Sequence, residues 1–299
     1  MKLESLYTVV ITPFDPQGKL DAEGLRSNLR DQLKHGIKGI VVLGTTGEAP
    51  TLSPHEKRTV IETARDELNG KASLWVGTGS YSTEQTIAST LEAQELGADG
   101  ALIVTPYYNK PTQEGLFRHF ASVCEAVDFP ICIYNIQGRT GQNLETPTLQ
   151  RLLHAFPSII GVKESSGSIM QINDVLEAAG KAHPHVRILS GDDALTLPLM
   201  ALGGHGIFSV VSNLIPGPVN QMVQAALRGD YTQARALHYQ MLPFFKAAFI
   251  ETNPIPIKAA MMHCGKPAGG CRLPLCELTP ANHQKLTQAV NALPSAWIG

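Results

Sequence analysis

Short runs of aliphatic and β-branched residues alternate along the chain with longer stretches of helical periodicity. The runs are TVVITPF (8–14), GIVVLG (39–44), SLWVGTG (73–79), ALIVTP (101–106), PICIYNI (130–136), IIGVKES (159–165), RILSGDD (187–193) and GIFSVVS (206–212). They are short, rich in Val and Ile, and recur roughly every 20 to 35 residues, which reads as strands. Between them lie helix signals. Ser53-Pro54-His55-Glu56 has the form of a capping box with proline at the first helical position. Ser82 with Gln85 is a second candidate box, for a helix running to Gly97. Thr146-Pro147 opens a segment whose Leu149, Leu152, Leu153 and Phe156 share one face, and Leu25, Leu29 and Leu33 form a stripe ending at Gly36.

Eight strands, each followed by a helix, predict an α/β fold of the (β/α)8 TIM-barrel class. An open doubly wound sheet would show GxGxxG after its first strand, and ITPFDPQG has no such pattern. The barrel is expected over 1–225. A small C-terminal helical extension is expected over 226–299, because RGDYTQARALHYQMLPFFKAAFI and TPANHQKLTQAVNAL both read as helices.

Composition narrows the class of function. The chain has 299 residues, 43% of them hydrophobic, enough for a sizeable core. With 24 Lys+Arg against 26 Asp+Glu it has no basic surplus of the kind that binds nucleic acid. No stretch approaches the roughly 18 apolar residues of a membrane span, and MKLESLYTVVITPF lacks the ordered regions of a signal peptide. The five cysteines are too widely spaced for a CxxC clamp. These features predict a soluble cytoplasmic protein acting on small molecules, with no nucleic acid or membrane as partner.

In barrels of this class the active site lies at the C-terminal ends of the strands. Lys163 ends one such run. Alternation puts Ile159, Gly161, Lys163 and Ser165 on one face and Ile160 and Val162 on the other. If the second face meets the helices, Lys163 points into the barrel mouth, where desolvation disfavours the ammonium and frees an amine for Schiff-base formation. The alternative is a lysine snorkelling to solvent. Tyr134 ends the preceding strand, within reach of Lys163 as a proton relay; the alternative is a core tyrosine with its hydroxyl at the rim. GTTGEAP (44–50) is glycine-rich but is not a phosphate loop of the GxxxxGK[ST] kind, and its Thr45 and Thr46 offer donors to a carboxylate. Arg139, in GRTG (138–141), suits bidentate pairing with a carboxylate or is a surface residue. TPYYNKP (105–111) places two tyrosines after the fourth strand, structural or crossing a subunit interface. His205 precedes its strand and is expected to be structural. No His, Cys, Asp or Glu cluster has metal-ligand spacing, which disfavours a metal-using aldolase.

The ordered set GTTGEAPTLSPHE, GTGS, VTPYYNKPTQEGL, YNIQGRTG, GVKESSG, SGDD, GGHGIFSV and NPIPIKAAM resembles the dihydrodipicolinate synthase / N-acetylneuraminate lyase family over essentially the whole chain. The threonine in GTTGE and the arginine after YN favour the synthase branch over a sialate lyase or a 2-keto-3-deoxy-sugar acid aldolase. The resemblance implies condensation of pyruvate with L-aspartate-4-semialdehyde to 4-hydroxy-tetrahydrodipicolinate, on the lysine and diaminopimelate route, without cofactor or metal. It implies Lys163 as the Schiff-base lysine and Tyr134 as proton relay, assisted by Thr46 and by Tyr108 lent from a neighbouring subunit. Thr45 and Thr46 would hold the pyruvate carboxylate and Arg139 that of the semialdehyde, with Gly191 and the backbone of Phe208 lining the pocket. It further implies a homotetramer, a dimer of dimers. Two departures stand out. Gln137 replaces the family's proline, which bears on the pose of Arg139. Tyr81, Gln85 and Lys57 stand where lysine-inhibited members carry asparagine, glutamate and histidine, and Lys57 would repel a lysine ammonium, so lysine inhibition is expected to be weak.

Overall fold

The computed structural model describes residues 3–298. Eight strands close a barrel in sequence order: β1 (Ser5–Val9), β2 (Gly39–Val42), β3 (Ser73–Gly77), β4 (Gly100–Val104), β5 (Ile131–Asn135), β6 (Ile159–Glu164), β7 (Arg187–Ser190) and β8 (Gly206–Ser209). Neighbours run parallel wherever register is defined, as between β4 and β5 or β6 and β7. The helices that follow successive strands are α1 (Ala22–Lys34), α2 (Pro54–Leu68), α3 (Thr83–Glu95), α4 (Gln113–Ala126), the short α5 (Gln137–Thr140) with α6 (Thr146–Ala155), α7 (Ile169–Ala182) and α8 (Thr196–Ala201). Beyond β8 come α9 (Pro216–Leu227), α10 (Tyr231–Ala247), α11 (Ile255–His263) and α12 (Pro280–Asn291). The (β/α)8 class is therefore the observed one. The described residues up to Ser5 with Trp75–Phe208 form one compact unit. Leu6–Leu74 with the described residues from Ser209 onward form a second.

The strands are shorter than the apolar runs, and β1 lies upstream of its predicted 8–14. The ladder stops for a local reason. Val10 N still donates to Val41 O at 3.0 Å, but Ile11 N is taken by the Asn213 side chain at 3.0 Å, and Pro13 has no N–H. The leucine stripe of α1 also changes at its last turn. Leu25 and Leu29 are buried, but Gln32 rather than Leu33 fills the next core position. Its amide is satisfied there: Thr8 Oγ1 donates to Gln32 Oε1 (2.6 Å), and Gln32 Nε2 donates to Ser212 O (2.9 Å).

The capping box of α2 is complete, with Ser53 accepting from Glu56 N and Glu56 accepting from Ser53 N at 2.9 Å. That of α3 is half made. Ser82 accepts from Gln85 N, but Gln85 Oε1 accepts instead from Ser80 Oγ at 2.8 Å. Helix α6 starts at Thr146 as expected, and α11 adds a helix to the two anticipated near the C-terminus.

Residues 271 and 272 act as a strap across the loops of the second unit. The Arg272 guanidinium forks onto both Glu56 carboxylate oxygens, one at 2.9 Å, and also donates to Thr51 O and Gly18 O. These bonds hold the Glu56 carboxyl at about 2, well below its ordinary 4.5. A carboxylate with a depressed folded pKa adds stability at pH values above its unfolded pKa and loses it as pH falls through the folded one. Stability should therefore drop between about pH 4.5 and pH 2, and Glu56→Gln should flatten that limb. Arg272→Ala should cost about 1–3 kcal/mol at neutral pH, read from urea unfolding; a loss below a few tenths would remove the strap from the account.

Candidate active site

Lys163 sits in the last turn of pleat of β6 and is only 5% exposed. Its register partner on β5 is Tyr134. Partners across a parallel ladder share a face, so both side chains point the same way. A one-residue bulge creates this alignment. Ile131 pairs with Ile159, but Cys132 pairs with Gly161, leaving Ile160 as the extra residue. Without it Tyr134 would stand opposite Val162, and tyrosine and lysine would occupy opposite faces.

The Lys163 Nζ lies 4.0 Å from the centre of the Tyr134 ring and 5.6 Å from that of Phe208. The resemblance implicated the backbone of Phe208; in the structure its ring also meets the amine. Among the described residues Nζ has no carboxylate within ion-pair distance and no hydrogen bond. The third wall is Gly191, whose N–H donates to Glu164 O at 2.8 Å. A Cβ there would strike Ser165 Oγ and come within 2.7 Å of Lys163 Cε, so the lysine stem runs through the space that glycine leaves.

Behind these residues a polar network fixes the strand ends. Glu164, fully buried, accepts from Ser166 N at 2.6 Å, from Asn135 Nδ2 and from Gln171 Nε2. Asn135 in turn accepts from Leu144 N at 3.0 Å. Asn135 follows Tyr134 and Glu164 follows Lys163, so the outward neighbours of the tyrosine and the lysine are tied to the loop before α6 and to α7. Sequence reasoning passed over both; a carboxylate and an amide at the ends of adjacent apolar strands were the available signal.

Arg139 lies on α5, a helical turn rather than a loop, and its side chain is exposed. Gly141 closes the turn at φ 69°, and Gln137 donates to Ser166 O at 3.3 Å, so the residue in the proline position ties the turn to the end of β6. Tyr108 is 91% exposed with φ 70°. The Asn109 N–H donates to Tyr107 O at 2.9 Å, making Tyr108 the apex of a three-residue γ-turn of the strained, positive-φ kind. Below it Tyr107 meets Tyr81 edge-on at 5.4 Å, and Asn109 Nδ2 donates to Tyr81 O.

In the second unit the GTTGE turn is held from several sides. Thr45 O accepts from Glu48 N (3.1 Å), and Thr12 Oγ1 donates to Gly47 O (2.6 Å). Thr46 is buried and its hydroxyl accepts from Asn253 Nδ2 at 3.0 Å. Glu48, at φ 50°, and Lys258 of α11 form a buried ion pair at 2.8 Å, and the ammonium also donates to Thr12 O and Gly270 O. Burial lowers the Lys258 pKa even with Glu48 opposing it. Asn253 and Lys258 were visible only as part of NPIPIKAAM; a lysine inside an apolar helix is the signal that went unread.

His205 is stitched into the barrel, its Nδ1 accepting from Ile188 N at 3.1 Å and its carbonyl from Ser5 N. Asp192 caps the turn at Ala194. Among the described residues no group of His, Cys, Asp and Glu side chains is arranged to hold a metal ion.

Comparison with known proteins agrees along the whole chain. A protein of Protochlamydia amoebophila named 4-hydroxy-tetrahydrodipicolinate synthase is 60% identical over 298 residues, 100% of this chain and 99% of that one. The crystal structure of dihydrodipicolinate synthase from Aquifex aeolicus superposes with a TM-score of 0.93 at 42% identity, covering 97% of each chain. A structure described as the first monomeric dihydrodipicolinate synthase variant gives 0.95 at 36% identity, over 97% of this chain and 96% of that one. The model of the dihydrodipicolinate synthetase family matches residues 2–293, and this chain belongs to that family.

Proposed function

We propose that the chain is a 4-hydroxy-tetrahydrodipicolinate synthase, a Schiff-base lyase condensing pyruvate with L-aspartate-4-semialdehyde. The observation that carries the reading is the pair at the end of β5 and β6: a buried amine with no counter-ion among the described residues, set against a tyrosine ring by a bulge. Lys163 adds to the pyruvate ketone, water leaves, and an iminium forms. The iminium withdraws electrons, a methyl proton departs, and the enamine carbon attacks the aldehyde. The semialdehyde's own amine then displaces Lys163 from the iminium carbon and closes the ring. Tyr134, whose ring centre lies 4.0 Å from the amine, would carry the protons.

The remaining roles belong to the same proposal. Thr45 and Thr46 follow the C-terminal end of β2 and offer donors to the pyruvate carboxylate, with Thr46 held by Asn253. Arg139 faces solvent where it can meet the semialdehyde carboxylate. Gly191 and Phe208 wall the pocket. Tyr108, exposed at a strained turn, would serve the site of a second copy in a homotetramer of paired dimers. No helix of the described residues is long and apolar enough to cross a membrane. The cysteines form no disulfide, which suits a reducing cytoplasm. No cofactor enters any step.

The test combines trapping with turnover. Pyruvate with borohydride should leave a reduced adduct on Lys163, located by mass spectrometry. Turnover should then follow with L-aspartate-4-semialdehyde and not with sialic acid. An adduct elsewhere, or preferential sialic acid cleavage, would overturn the reading.

A further inference from the structure

Ser165 extends the ladder of β6 by one residue, its N–H donating to Asn135 O at 2.9 Å. It is two residues beyond Lys163, so the two side chains share a face. Its Oγ is buried and has no hydrogen-bond partner among the described residues. Other hydroxyls nearby are satisfied within the chain: Ser190 donates to Asp192 O at 2.7 Å, and Thr140 to Gln142 O at 2.9 Å. Ser165 Oγ instead fills the point where a Cβ of Gly191 would be, which Lys163 Cε also approaches at 2.7 Å. Tyr134 covers the β5 flank of the amine; Ser165 and Gly191 occupy the β7 flank.

A buried hydroxyl without a partner costs stability, and alanine would fit the same space without that cost. The hydroxyl therefore gives the free protein nothing. It and Lys163 Cε both crowd the space left at Gly191, so it is an unsatisfied donor beside the stem that carries Nζ. We propose that Ser165 is a further catalytic hydroxyl, hydrogen-bonding the oxygen of the 2-oxo acid adduct on Lys163 as that oxygen leaves as water. The serine only donates a hydrogen bond: Tyr134, the proton relay, gives the leaving hydroxyl the proton that makes it water, the C–O bond breaks with its electron pair going to that oxygen, the nitrogen lone pair forms the iminium, and Ser165 keeps its own proton at the end. This rests on the Schiff-base reading above.

The experiment uses Ser165→Ala in the full-length protein. Wild-type protein must first give the borohydride-trapped pyruvate adduct on Lys163; if it does not, the Schiff-base reading itself fails. Given that adduct, the rate of its formation, sampled by rapid quench, should fall about three- to tenfold in Ser165→Ala. The KM for the aldehyde should stay unchanged. The thermal midpoint should rise by about 2–4 °C, because an unsatisfied group has been removed. A trapping rate within twofold of wild type would overturn the proposal. So would a fall in the thermal midpoint, which would give the hydroxyl a structural role.

Discussion

Lys163→Ala should lose the pyruvate-dependent borohydride adduct completely and lower turnover by on the order of 10⁴-fold, as removal of a covalent nucleophile does elsewhere. The protein should remain folded. Among the described residues the amine makes no ion pair or hydrogen bond whose loss would strand a partner, and its stem runs through the space left at Gly191. The expected stability change is that of a trimmed side chain with no orphaned charge. The pairing of the two readouts matters: a variant that unfolds says nothing about chemistry, whereas a folded one that cannot be trapped isolates the nucleophile. Turnover by Lys163→Ala near the wild-type rate would end the Schiff-base mechanism.

Lys258→Met is expected to be the most destabilising single change among the buried polar groups, costing about 3–5 kcal/mol in urea unfolding. The substitution leaves the Glu48 carboxylate buried without its cation, and Thr12 O and Gly270 O without their donor. Burial already depresses the Lys258 pKa against the pull of Glu48, so desolvation outweighs attraction even in the intact pair. Such a pair adds little net stability and instead fixes where its partners sit: the turns after β1 and β2, α11, and residues 270–272. The neutral double variant Glu48→Gln/Lys258→Met should accordingly recover part of the loss. If the single variant loses less than about 1 kcal/mol, or the double is worse than the single, the pair is not what holds these segments.

Much of this architecture was legible because it rests on local signals. Eight Val- and Ile-rich runs at regular spacing gave the barrel, and Ser53 with Glu56 gave the start of α2 in detail. Lys163 and Tyr134 were readable as strand-end residues. What made them partners was not readable. The bulge at Ile160 depends on how two strands settle against each other, and simple alternation carries no trace of it. Leu33 was read as the last core position of α1 because a polar core residue such as Gln32 is permitted only by partners at Thr8 and Ser212, the latter 180 positions away. The same holds for Thr46 and Asn253, separated by 207 positions. The end of β1 was overestimated because the Asn213 side chain takes the N–H of Ile11.

Gly191 has a consequence for how such a chain can diversify. Any side chain at that position would collide with the lysine stem, so mutation there cannot be a gradual route to a new substrate. Variation is steered instead to positions that leave the nucleophile's channel open. The turn bearing Arg139 is of that kind. Lineages descended from this sequence should therefore explore new acceptors through the rim while the glycine stays fixed, a constraint imposed by one missing carbon.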